Sequence, residues 1–407
     1  MSVTNWAGNL TFGAARVHRP STVDAVREVV AGAERVRVLG SGHSFNDIAD
    51  TTADLVSVAG LPFEPRIDAA AGTVTVAGGV RYGELATFLD AAGYALHNLG
   101  SLPHISVAGA VATGTHGSGA KLGSLATAVA GVEIVTAGGE LVRLERGDPG
   151  FAGSVVALGA LGVVVGVTLE VRESYTIRQH VFEHLPRKVL DARWDEIVAA
   201  GYSVSLFTTW SGDTVDQLWL KLADGEEPDG FGAVPATRPI HPIAAMPAVS
   251  CTEQGGVPGP WHRRLPHFKL EFTPSSGEEL QSEFFVARQD AAEAFAAVER
   301  LRHLVTPVLQ ISEIRVVAAD DLWLSPCFAR DSVALHFTWI KDSARVAPVV
   351  AVLEEALAPL SPRPHWGKVF HHAARPSRLA DFLALRDRLD PDRKFSNAFV
   401  ERHLAAE

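Results

Sequence analysis

The chain has 407 residues, 47% of them hydrophobic and 20% charged, which excludes a disordered, collagen-like or coiled-coil polypeptide and leaves room for two or three domains. Lys and Arg number 36 against 47 Asp and Glu, a formal net charge of −11, the wrong sign for a nucleic-acid coat or an anionic-membrane binder. Ser21, with Asp24 three residues on, predicts a helix reaching about residue 31 and stopped by Gly32, with Val26, Val29 and Val30 as its apolar stripe. Residues 35–39 alternate as a strand and run into Gly40-Ser41-Gly42-His43-Ser44. Strands at 55–58 and 73–77 precede a helix at 83–92, then a glycine-rich path over 96–118, then strands near 129–136, 141–144 and 161–171.

From about residue 173 the strands become bulkier: 204–210, 217–222, 268–272 and 280–286, around a Pro- and Gly-rich excursion at 224–260. An amphipathic helix is predicted over 291–304, with Ala294, Val298 and Leu301 on one face. Strands at 308–317 and 333–340, a helix at 346–358, a short strand at 367–370 and a tail from 379 complete the chain. Cys251 and Cys327 are too few for a disulfide framework and lack any zinc spacing, so a reduced, cytoplasmic setting is expected. The start lacks the basic and apolar regions of a signal peptide. Glycines and histidines interrupt the uncharged stretches 91–120 and 149–169, so no membrane span is expected.

Two segments carry chemistry. In Gly40-Ser41-Gly42-His43-Ser44 the glycines let backbone N–H groups approach a phosphate. Phe45 stands where a third glycine would complete the dinucleotide fingerprint, so alone this reads as a strand-to-loop turn. The second, residues 98–119, is rich in small and hydroxylated side chains, as backbone wrapping a rigid, hydrogen-bonding ligand requires. Together they favour a large phosphate-bearing cofactor. His180-Val181-Phe182-Glu183-His184 matches an H-x-x-E-H zinc pattern, but its flanks alternate like a strand, which sets the rings roughly 13 Å apart, so no metal site is expected. No Gly-x-Ser-x-Gly elbow supports a hydrolase.

Gly40–Ser44, Ser101-Leu102-Pro103-His104-Ile105-Ser106, Thr113-Gly114-Thr115-His116-Gly117-Ser118-Gly119 and Gly159-Ala160-Leu161-Gly162 together resemble the flavin-binding domain of the vanillyl-alcohol-oxidase type. Cys251-Thr252-Glu253-Gln254, Glu313-Ile314-Arg315 and Pro364-His365-Trp366-Gly367-Lys368 narrow the resemblance to the alditol and xylitol oxidases, over almost the whole chain. It implies an α+β fold. A two-part FAD-binding domain occupies 1–172, a substrate (cap) domain with a large, mainly antiparallel sheet and flanking helices occupies 173–378, and 379–407 returns to the FAD domain. It implies FAD attached covalently through His43. Gly40, Ser41, Gly42, Ser44, Ser101, Ser106, Gly109, Thr113, Gly114, Thr115, His116, Gly162 and Val165 would hold the cofactor. No cysteine lies between residues 1 and 250, so a second, cysteinyl attachment is not expected.

Period-two spacing puts Glu313 and Arg315 on one strand face, His336 and Thr338 on another, Gln281 with Glu283, and Lys368 with Trp366 and Phe370. The bland alternative is an intrastrand Glu313–Arg315 pair on a solvated face, with His336 and Lys368 unrelated. The resemblance carries Ser101, Glu313, Arg315, Thr338 and Lys368 into a polyol site, with Gln281 as a further contact; acceptors and donors of this kind suit hydroxyls. The expected reaction oxidises a terminal primary alcohol to an aldose and reduces dioxygen to hydrogen peroxide. Arg315 and Lys368 would stabilise negative charge, and His336 is the leading proton acceptor, with a lysine of lowered pKa as competitor. Gly100 is expected to leave a path for oxygen. The expected partners are a polyol and O2, with no nucleic acid or membrane, and the chain is expected to be a monomer. The rivals are an aldonolactone oxidoreductase of the same superfamily and a non-catalytic flavin- or sugar-binding protein.

Overall fold

A computed structural model describes residues 3–244, 246–273 and 277–405. The first part runs β1 (Arg16–His18), α1 (Val23–Gly32), β2 (Val36–Leu39), β3 (Asp54–Ser57), β4 (Arg66–Asp68), β5 (Thr73–Ala77), α2 (Tyr82–Ala91), β6 (Tyr94–Ala95), α3 (Val107–Ala112), β7 (Val129–Val135), β8 (Leu141–Glu145), α4 (Phe151–Val155), β9 (Val163–Glu170) and β10 (Arg172–Glu173). β1, β3 and β2 form a small parallel sheet, and β4-β5-β9-β7-β8 an antiparallel one. The cap of α1 is Thr22 rather than Ser21: its hydroxyl accepts from the Ala25 N–H at 3.1 Å, one of the donors a helix start leaves unpaired.

The second part contributes β11 (Thr176–Pro186), α5 (Arg187–Ala192), α6 (Trp194–Val198), β12 (Ser203–Thr208), β13 (Thr214–Leu222), β14 (Val234–Pro235), β15 (Gly259–Pro260), β16 (Glu279–Ala287), α7 (Ala291–Arg300), α8 (Arg302–Val305), β17 (Leu309–Val317), β18 (Ser332–Ile340), α9 (Ser343–Leu357) and β19 (Arg363–Pro364). Its sheet is antiparallel, in the order β14-β11-β13-β12-β17-β18-β16-β19, with β15 against β11. One face buries Leu280, Phe284, Ile314, Leu335 and Phe337 against Ala294 and Val298 of α7 and Val350 and Leu353 of α9. Burying such side chains contributes about 1.5–3 kcal/mol each, so this face is the anchored one. Alternation therefore turns the odd-numbered polar residues of β17 the other way.

Three expected elements differ. The 291–304 helix breaks at Leu301 into α7 and α8. Residues 268–272 make a single bridge, Cys251 to Phe268, before the chain turns. Residues 367–370 form no strand; pairing occurs earlier, at β19, and the chain turns through Gly367 to present Lys368 from a loop. His180 and His184 lie on β11, and no cluster of metal-ligating side chains occurs among the described residues.

The last helices, α10 (Leu379–Leu389) and α11 (Ala398–Leu404), bury Phe382, Phe399, Val400 and Leu404 in the same core as Val132 and Val167. Arg37 clamps this return. Its buried guanidinium donates to the carbonyls of Phe395 (2.6 Å), Leu158 (2.9 Å), Gly159 (3.1 Å) and Ile48. Among the described residues no helix is long and apolar enough to cross a membrane.

Candidate active site

Register decides what meets across the sheet. Phe207 of β12 pairs with Glu313 of β17, Glu313 with His336 of β18, and His336 with Glu283 of β16, so one transverse row holds two carboxylates and an imidazole. Directly opposed residues stand close enough for their side chains to interact. One step along, Thr338 pairs with Gln281. Arg315 lies two residues beyond Glu313. Its Nη2 donates to Glu283 Oε1 at 2.7 Å, its Nη1 to Ser101 Oγ at 3.2 Å, and its Nε lies 3.5 Å from Glu313 Oε1.

Lys368 arrives from the loop after β19, held because the Val369 N–H donates to the Gln281 carbonyl and the Asn46 side-chain amide donates to the carbonyls of Trp366 and Lys368. Its Nζ lies 2.7 Å from Glu283 Oε2 and 2.6 Å from His336 Nδ1. His336 Nε2 is 3.1 Å from Thr338 Oγ1, and His116 Nε2 is 3.3 Å from Glu283 Oε1. Burial works against ionised Glu283, yet Lys368, His116 and Arg315 outweigh it and hold the carboxyl well below its usual range. Glu313 is likewise held low, against burial, by Arg315 and His267. Burial and the neighbouring Lys368 push His336 well below 6.5, so its ring is neutral. Burial also lowers Lys368, which Glu283 partly restores.

On the other wall stands the glycine turn. His43 stacks on Trp6, ring centroids 5.1 Å apart, and among the described residues neither of its ring nitrogens has a partner within hydrogen-bond geometry. Burial lowers it to about 4, leaving a neutral, nucleophilic imidazole. A Cβ on Gly40 would lie 2.5 Å from Ser106 Oγ, and one on Gly109 would lie 2.7 Å from it, so a side chain at either position would have to displace that hydroxyl. Ser41 and Ser106 exchange hydrogen bonds at 3.2 and 3.1 Å between backbone N–H and hydroxyl. The Phe45 N–H donates to the Gly367 carbonyl at 2.7 Å, which ties this turn to the Lys368 loop. The cavity between the walls holds about 1850 Å³ of empty space, open solvent at its mouth included. Its lining runs from the glycine turn at Gly40–Ser44 to Glu313, His336 and Lys368, so one cavity joins the two walls.

A family model described as FAD binding domain matches residues 14–145, and one described as D-arabinono-1,4-lactone oxidase matches 280–403. The sequence is 54% identical to an alditol oxidase of Streptomyces sp. (strain IKD472), over 98% of each chain. The protein belongs to the FAD-linked alditol oxidase family. An L-gulono-1,4-lactone dehydrogenase of Mycobacterium tuberculosis is 30% identical, again over 98% of each chain. The fold is also that of cholesterol oxidase from B. sterolicum, with a TM-score of 0.79 at 15% identity, covering 99% of this chain and 96% of the other.

For an alditol oxidase the cavity has what FAD needs: a cradle that a Cβ would crowd at Gly40 and Gly109, an unpartnered imidazole and a large apolar lining. Gly40, Ser41, Gly42, His43, Ser44, Gly100, Ser101, Gly109, Thr113, Thr115, His116 and Gly162 line it, as do Gln281, Glu313, Arg315, His336, Thr338 and Lys368. Three expected cofactor residues do not. Ser106 sits behind Ser41, Gly114 backs onto Pro326, and Val165 packs into a small core with Val26 and Val163. At Gly100 a Cβ would make ordinary van der Waals contact, at 3.7 Å, with the His116 carbonyl oxygen, Ile105 and Thr115. Sequence reasoning passed over Glu283, though it was placed on the face of Gln281, and it missed His267 and Lys221 entirely. The signal for Glu283 was an acidic side chain amid apolar strand residues; for the other two no local signal exists.

Proposed function

We propose that the protein oxidises the terminal primary alcohol of sugar alcohols such as xylitol and sorbitol to the aldose, with dioxygen reduced to hydrogen peroxide. The observation that carries this is the row Glu313–His336–Glu283, flanked by Arg315 and Lys368, facing the turn that bears His43. FAD, attached through His43 and held by the glycine turn and residues 100–116, supplies the hydride acceptor and the route of electrons to dioxygen.

The chain's own groups do the rest. Glu313 accepts from a substrate hydroxyl, while Arg315, Lys368, Ser101 and Thr338 donate to others, and Gln281, itself bonded to Glu279 at 2.6 Å, braces that edge. Lys368 Nζ donates to His336 Nδ1, which puts the ring proton on Nε2 and its bond on Thr338 Oγ1. The alcohol proton passes to Lys368 as Lys368 hands one to His336 Nδ1, and the nascent imidazolium faces Glu283 Oε1 at 3.8 Å. Lys368 and Arg315 hold the developing oxyanion throughout. Residues 1–172 with 379–407 serve the cofactor and 173–378 the substrate. We extend the proposal to a cytoplasmic monomer, in keeping with two buried free cysteines.

Peroxide release is to be compared with xylitol, sorbitol and aldonolactones. Faster turnover of a lactone overturns the reading in favour of the lactone oxidase that the 280–403 match suggests. A second test concerns the tether: after denaturation and precipitation, yellow fluorescence stays with the wild-type polypeptide and is lost in His43→Ala.

A further inference from the structure

A buried chain of polar groups leads to Glu313 from β13. Lys221 of β13 is 1% exposed, and among the described residues no carboxylate pairs with it directly. Its Nζ donates to the Leu265 carbonyl and, at 3.0 Å, to His267 Nδ1. His267 is 4% exposed and lines the cavity; its Nε2 lies 2.7 Å from Glu313 Oε1 and 3.5 Å from Ser205 Oγ. The ring is wedged edge-to-face between Phe207 and Trp219, centroids 5.4 and 5.3 Å away. Among the described residues no hydrogen bond is made to Glu313 Oε2, and Glu313 lines the cavity.

These contacts assign each proton. Glu313 is held ionised and can only accept, so the ring proton sits on Nε2 and points at Glu313, which leaves Nδ1 to accept from Lys221. Burial and then Lys221 push His267 to about 4, so the ring is neutral; burial takes Lys221 down to about 7.

The geometry points to Lys221–His267 as a positioning relay that pins one oxygen of Glu313, so that the other meets the substrate only as a hydrogen-bond acceptor. The site then selects, at that point, a hydroxyl over a hydrogen, an ether oxygen or a carbonyl. Lys221 satisfies the far nitrogen and so keeps the ring from rotating; the two aromatic walls restrict it in the plane. This inference rests on the polyol reading above.

The test uses the flavin-loaded enzyme with xylitol and its monodeoxy analogues. In the wild type one analogue loses about tenfold or more in kcat/KM relative to xylitol, which identifies the hydroxyl at Glu313. In His267→Ala, KM for xylitol rises about tenfold or more with kcat within about threefold, and the penalty on that analogue collapses. His267→Gln, whose amide N–H substitutes for Nε2–H, recovers most of both, and Lys221→Met reproduces the alanine effect more weakly. A penalty that persists in His267→Ala, or a loss confined to kcat, overturns the relay. Should His267→Ala fail to fold, Lys221→Met and His267→Gln carry the same comparison. Independently of substrate, ¹⁵N NMR of the histidine-labelled holoenzyme shows His267 as the neutral Nε2–H tautomer; Nδ1–H or imidazolium refutes the proposal. An enzyme that oxidises no polyol yet shows that tautomer sinks the functional reading and leaves the relay standing.

Discussion

Replacing Glu283 by Gln keeps the shape of the side chain and deletes the charge on which the polar row converges. Three groups lose it: the Arg315 guanidinium at 2.7 Å, the Lys368 ammonium at 2.7 Å and His116 Nε2 at 3.3 Å. Glu283 is 1% exposed, so water cannot take its place. Removing one partner of a buried ion pair costs about 3–5 kcal/mol because the other charge is stranded. At about 2–4 °C per kcal/mol for a domain of this size, the melting temperature falls by about 6–20 °C. The chemistry suffers more. Burial already lowers Lys368 and only Glu283 and Glu313 restore it, so the variant loses both a charged donor to the developing oxyanion and the counter-ion for protonated His336. Losing one such donor typically costs about 10²–10³-fold in kcat. The assay is anaerobic bleaching of the bound flavin by excess xylitol in a stopped-flow instrument, with scanning calorimetry beside it. Bleaching within about threefold of wild type, together with a melting point within about 2 °C, refutes the claim that Glu283 organises the site.

Arg37→Met removes four bonds to main-chain carbonyls from three separate segments, at about 1.5–3 kcal/mol for each charge-assisted bond; proteolysis within residues 390–397 accelerates well before global unfolding. Gly40→Ala drives a Cβ to 2.5 Å from Ser106 Oγ, so the purified variant carries less than half the wild-type flavin at comparable yield, read from the absorbance ratio. Gly100→Val adds a side chain at the cavity lining, so reoxidation by dioxygen slows while reduction by xylitol is spared; equal effects on both half-reactions refute it. Asp320, raised to about 6 by burial, binds its proton more tightly folded than unfolded, so stability is lost as pH rises from about 4 through about 6. Asp320→Asn therefore gains more in melting temperature over wild type at pH 8 than at pH 5.

Much of this protein is legible along the chain because the information is local. Alternation marked β5, β7, β16, β17 and β18 to within a residue or two, since successive side chains of any strand point to opposite faces. The turn at Gly40–His43 was legible for a similar reason: Gly42 has φ +73°, a conformation that favours glycine, so the requirement is written at the position itself. Where local signals misled, a neighbour had decided. Residues 268–272 have strand-forming side chains but no partner strand beyond one bridge, and Lys368 sits on a turn because Asn46 and Gln281 capture the backbone around it.

The active-site charges show the division most clearly. Composition and spacing determined that Glu313 and Arg315 share a face, that His336 and Thr338 do too, and that a flavin-type cradle lies near the start. They said nothing of register, and a shift of two residues in β16 against β18 would keep every face yet carry Glu283 out of reach of Arg315 and Lys368. Only the folded sheet brings β12, β17, β18 and β16 side by side, and only the 258–268 loop places His267 between Lys221 and Glu313. Periodicity is a property of one strand, whereas a hydrogen bond of 2.7 Å between residues 46 apart depends on how the whole chain closes.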